Sequence, residues 1–204
     1  MYIFYVFDTY FCRVLMLGGP GVGKSALCSQ FLSSEHINTY AAVGELLAAL
    51  PASSSFHPED SVEKEVVLSV NGQESRIVFI DHEHGEMEVS VDFDYQVEIN
   101  QGMFQVENMI QTYCPHAMMV VMAVDDMSSL ELAEHLLLYL SHSGSIEEKA
   151  VILVANKADL VRNREIKTGE GKELAVKYNV KYIETSPGKY SIVQQYIKII
   201  SKPC

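Results

Sequence analysis

Gly18-Gly19-Pro20-Gly21-Val22-Gly23-Lys24-Ser25 stands between a short apolar run, Arg13-Val14-Leu15-Met16-Leu17, and a stretch from Ser25 to Phe31 in which Ala26, Leu27 and Phe31 recur at helical spacing. The order is strand, loop, helix, and the loop fits G-x-x-x-x-G-K-[ST]. Glycines let successive backbone N–H groups turn inward around a phosphate. The Lys24 ammonium supplies a point charge to its outer oxygens, and the Ser25 hydroxyl can ligate magnesium. Gly18, Pro20, Gly21, Val22, Gly23, Lys24, Ser25 and Ala26 are therefore the candidate phosphate-site residues. The loop by itself leaves the choice between adenine and guanine open.

Downstream, Val66–Val70 and Arg76–Ile80 read as two strands around the turn signal Asn71-Gly72, an antiparallel hairpin. Three further runs, Ala117–Val124, Ala150–Ala155 and Val180–Ile183, are continuously apolar or nearly so, as strands covered on both faces are. Helical patterns lie between them at Phe104–Tyr113, Ser128–Leu140 and Gly169–Tyr178, and another follows at Ser191–Ile200. The alternation predicts a three-layer α/β sandwich of the P-loop NTPase kind: a mostly parallel six-stranded sheet with one antiparallel hairpin. At 204 residues the chain is expected to be one domain, 1–204. Residues 39–60 and 86–103 do not fit the alternation and are expected to be long loops or insertions.

Composition narrows the function classes. A net charge of −12 argues against a general nucleic-acid binder, which needs clustered Lys and Arg on phosphates. The imbalance is local: between Arg76 and Lys149 there is no Lys or Arg, while 14 acids fall there. That segment reads either as a solvated acidic face or as a docking surface for a basic partner. Cys12, Cys28, Cys114 and Cys204 have no regular spacing, so neither a disulfide framework nor a zinc site is indicated. The apolar start Met1–Phe7 lacks a basic lead and is broken by Asp8, so no membrane span or signal peptide is expected and a cytoplasmic setting fits.

Asn156-Lys157-Ala158-Asp159, directly after a buried strand, selects the base. A carboxylate there accepts from both the N1–H and the 2-amino group of guanine, donors that adenine lacks, and Asn156 can brace the loop. Asp81 ends a strand where it would face magnesium through water, which makes Ser25 and Asp81 the candidate metal residues. Glu184-Thr185-Ser186 follows the last strand and resembles the second guanine loop of guanine-nucleotide-binding proteins. Asn156, Lys157, Asp159, Leu160, Thr185, Ser186 and Pro187 complete the candidate set for GTP or GDP with Mg2+. In the Ras superfamily of small GTPases, which these loops resemble, the residue after Thr-Ser gives its backbone N–H to the guanine O6; Pro187 has none, so one base hydrogen bond is expected to be missing unless Gly188 supplies it. His82, Glu83 and His84 crowd together, but alternate loop residues rarely converge on a metal without further ligands.

These motifs in this order resemble the Ras superfamily of small GTPases. Leu17–Leu27, Asp81-His82, Gly85-Glu86-Met87, Asn156–Arg162, Glu170-Gly171-Lys172 and Ile183–Ser186 narrow the resemblance to the RGK (Rad, Gem, Kir) group, especially its invertebrate members. That resemblance implies a GTP-binding regulator that inhibits voltage-gated calcium channels, partly through the channel β subunit, with weak hydrolysis and a peripheral place at the plasma membrane through its partners. Arg162 matches one position implied for the β-subunit contact, whereas Lys189 and Ser191 do not match the Val and His expected at the second. Terminal extensions for calmodulin and 14-3-3 proteins are not evident. No switch I threonine matches convincingly, Ser61 being the best of the candidates. The 56 positions from Ser25 to Asp81 (81 − 25) point to an insertion around Thr39–Ala52, and Val89–Met103 reads as another. Glu86 stands where relatives place a water-positioning Gln, so no catalytic residue is assigned. The rivals are a hydrolysing Ras-like switch acting on another effector, which would need that Gln, and a scaffold without nucleotide, against which Lys24, Ser25 and Asp159 speak.

Overall fold

A strand with apolar residues on both faces needs a layer against each, and β1 (Phe11–Leu17) has both. Val14 and Met16 enter one buried cluster, Leu15 and Leu17 the other. The computed structural model describes residues 11–30, 63–70, 73–81 and 95–186. Around β1 it places β2 (Glu63–Val70), β3 (Gln73–Ile80), β4 (Ala117–Ala123), β5 (Ala150–Asn156) and β6 (Lys181–Glu184). The order in the sheet is β2-β3-β1-β4-β5-β6, with β2 antiparallel to β3 and every other pair parallel. This is the expected six-stranded sheet with one hairpin. The turn residues Asn71-Gly72 lie outside the described residues.

Helix α1 begins at Lys24 and is described to residue 30; its Leu27 and Cys28 close the cluster built on Val14, Met16, Phe79, Met119 and Val154. The opposite face is covered by α2 (Tyr95–Tyr113), α3 (Met127–His142) and α5 (Thr168–Lys177). Their Val106, Met109, Leu136, Leu140 and Leu174 pack on Leu15, Ile80, Met118 and Leu153. Eleven large side chains are buried to below 2% exposure. At roughly 1.5–3 kcal/mol each, they supply the main drive for closing the three layers.

Two elements escaped the sequence reading: a single-turn α4 (Ser145–Glu148) and a 3-10 turn at Val161–Asn163. One expectation is corrected. Helix α2 starts at Tyr95, not Phe104, so 95–103 is helical rather than part of a loop spanning 86–103. Tyr95, Val97 and Ile99 alternate as in a strand and Gly102 weakens the helical pattern, whereas the anchored turns at Val106 and Met109 let the helix propagate backwards through them. The expected long loop at 39–60, the remainder of 86–103, the helix at 191–200 and the lead-in at Met1–Phe7 lie outside the described residues.

Candidate nucleotide site

All the parallel strands end at one edge of the sheet, and the loop after β1 leaves at the point where the strand order reverses, the usual crevice for ligands in open α/β sheets. Five of these carboxyl ends hold the residues that matter. Gly18 to Ser25 follow β1, Asp81 follows β3, Asn156 to Asp159 run from the end of β5, and Thr185-Ser186 follow β6. After β4 comes Asp125, which sequence reasoning missed; its only signal was an acidic pair at the end of a buried strand.

The loop after β1 is shaped by glycine at two points. Gly18 and Gly23 have φ of +144° and +94°, and a Cβ on Gly23 would overlap the Asn156 side-chain amide. Lys24 is buried at 8% exposure, and its ammonium donates to the carbonyls of Gly18 and Gly19 at 2.9 and 2.8 Å. Those bonds hold the cation inside the loop's own curve, where phosphate oxygens would meet it. Pro20, Gly21, Ser25 and Ala26 are exposed on the rim, and Val22 is buried beneath.

Asn156 ties the site together. Its Nδ2 donates to the Val22 carbonyl at 2.9 Å, and its Oδ1 accepts from the Thr185 hydroxyl at 2.8 Å. Backbone bonds lock the same corner: Thr185 N–H donates to Ala155 O at 2.8 Å and Ala158 N–H to Thr185 O at 2.9 Å. Lys157 takes a left-handed φ of +61° and pairs with Asp125 at 3.2 Å, so the chain turns sharply before Asp159. Asp159 is exposed and Leu160 half-buried, while Thr185 and Ser186 are buried. The bracing expected of Asn156 is present, reaching two loops rather than one.

A second polar cluster gathers on Glu184 at the end of β6, next to Thr185-Ser186. Arg164 donates from Nη1 and Nη2 to the two carboxylate oxygens of Glu184, each at 3.0 Å; the Thr168 and Tyr182 hydroxyls add bonds to Oε1 at 2.8 and 2.9 Å. Burial works against the Glu184 charge, but these hydrogen bonds outweigh it and hold the carboxyl below its usual range.

Asp81 is 3% exposed and lies beside Lys64, whose Nζ is 3.4 Å from Oδ2. Ser25 and Asp81 offer a hydroxyl and a carboxylate, hard oxygen donors of the kind magnesium takes. Among the described residues no three His, Cys, Asp or Glu converge as a metal cage, so a cation here would draw the rest of its shell from phosphate and water. Pro187, Gly85, Glu86, Ser61, Lys189, Ser191, Cys204 and the His82-Glu83-His84 group lie outside the described residues. No described helix is long and apolar enough to cross a membrane.

Comparison with known proteins agrees with this geometry. The Ras family pattern matches residues 94–203. The chain is 30% identical to GTP-binding protein GEM of Homo sapiens over 179 residues, 88% of this chain and 50% of that protein. It is 30% identical to GTP-binding protein REM 1 of Homo sapiens over 174 residues, 85% and 48% of the two. With GTP-binding protein RAD of Mus musculus it shares 29% identity over 185 residues, 89% and 48%. The chain spans about half the length of these relatives, which are RGK proteins. With the expected sheet and the family match over residues 94–203, the chain belongs to the Ras family.

Proposed function

We propose that the chain binds GTP and GDP with Mg2+ and acts as a regulator of RGK type, its output being a protein contact rather than turnover. The observation that carries this reading is the Asn156 tie, which sets a phosphate loop and a base loop side by side at one sheet edge. Lys24 and the loop N–H groups take the phosphates, Asp159 takes the guanine N1–H and 2-amino group, and the loop at Thr185-Ser186 flanks the base. Ser25 directly and Asp81 through water would hold the magnesium, which would neutralise phosphate charge. The experiment is nucleotide extraction from the purified protein followed by calorimetry. Asp159→Asn, which puts an amide donor where the 2-amino group needs an acceptor, is expected to weaken GDP and favour xanthosine diphosphate. Unchanged GDP affinity in that variant removes the assignment.

For output, the likeness to RGK proteins supports inhibition of voltage-gated calcium channels through the β subunit, at the plasma membrane, with Arg162 in the contact. Arg162 and Val161 are exposed on the 3-10 turn after the base loop, where a partner can reach them. Slow hydrolysis follows from the sequence around Glu86, since in-line attack needs a side chain that positions water and a carboxylate adds the wrong charge near the γ-phosphate. Single-turnover hydrolysis at the rate of an assisted GTPase would return the chain to the switch-enzyme class.

A further inference from the structure

We propose that Lys64 is a built-in counter-cation for Asp81, competing with magnesium for that carboxylate and so reducing how far nucleotide retention depends on the metal; this rests on the nucleotide-binding role proposed for the chain. The placement begins in the register. Lys64 pairs with Phe79 across the β2–β3 ladder, and Asp81 lies two residues on. Period two puts Lys64, Val66, Phe79 and Asp81 on the sheet face that α1 covers, where Val66 and Phe79 pack with Cys28.

On that face the ammonium is 3.4 Å from the Asp81 carboxylate, with the two side chains only 12% and 3% exposed. A buried carboxylate without a partner is costly, and a lysine rooted on a paired strand supplies a fixed positive charge where a surface lysine would not. Cys28 reports the same crowding: burial pushes its thiol up to about 12, with Asp81 adding to the rise and Lys64 and Lys24 opposing it. Asp81, Lys64 and Lys24 thus all act on the one thiol that α1 sets against this face. A divalent cation approaching Asp81 meets the Lys64 charge, and its departure leaves a carboxylate that is already compensated.

The test measures release of a fluorescent GDP analogue in magnesium and in EDTA, together with melting temperatures in the same buffers. Wild type is expected to release only a few-fold faster in EDTA, and Lys64→Met about tenfold or more, because the variant leaves magnesium as the charge that balances Asp81. Lys64→Met should also melt lower than wild type in EDTA and recover with magnesium, while Lys64→Arg keeps the wild-type response. Should Lys64→Met fail to fold, Lys64→Gln reads the same quantities. Equal magnesium dependence in wild type and the neutral variants, in release and in melting, overturns the proposal. Absence of GDP binding by both proteins overturns the nucleotide reading instead, and magnesium alone then decides this one. A rise in melting temperature confined to the neutral variants supports it, and no difference from wild type defeats it.

Discussion

At Gly23 a methyl group would run into the Asn156 amide, and at Asn156 the same amide holds Val22 on one side and Thr185 on the other. Asn156 is 6% exposed, so truncation leaves a buried carbonyl and a buried hydroxyl each short of a partner. Asn156→Ala should therefore cost about 2–4 kcal/mol of unfolding free energy in urea. A loss below about 0.5 kcal/mol would mean that water replaces both bonds. The sequence made Asn156 legible as a brace because it opens a recognisable motif at a strand end. It left Lys64 invisible, since a lysine in a β-strand reads as solvent-facing until the register sets it diagonally opposite Asp81. Asp125 was hidden for a like reason: its role depends on Lys157 reaching across from another strand end.

Elements were legible where their period was clean. β1, β4 and β5 are apolar runs bounded by polar residues, and their observed limits differ from the expected ones by at most two positions. Helix α2 was not, because its first turns carry a strand-like alternation and their conformation is decided by the packing of later turns. The 3-10 turn at Val161–Asn163 has no periodic signal; it is anchored from its carboxyl side, where Arg164 reaches back to Glu184 at the end of β6. That link carries a pH signature. The folded-state Glu184 carboxyl titrates below its ordinary range, so its contribution is fully present above about pH 5 and is lost as the pH falls through the depressed folded value. Glu184→Gln should cost about 1–2 kcal/mol at pH 7, a figure reduced for partial exposure, with the gap to wild type narrowing under acid. Urea melts at pH 7 and pH 3.5 measure it, and a gap that stays constant would assign the effect to packing rather than charge.

Across the whole molecule the charge is divided: 14 acids and no Lys or Arg between Arg76 and Lys149, a span that holds α2, β4, α3 and α4, whereas Arg162 lies beyond it. If Arg162 contributes to a channel β-subunit contact, Arg162→Ala should weaken capture in a pull-down about tenfold, as loss of an interface arginine does. Capture independent of Arg162 would move the contact elsewhere, and none by the wild type would leave the channel role unsupported. The Asn156 tie also has a consequence for how damage spreads. The loops at 18–25 and 185–186 are far apart in the chain but meet on one side chain, so a single substitution at Asn156 loosens both at once, whereas a substitution at Val22 leaves the backbone carbonyl that accepts the bond in place.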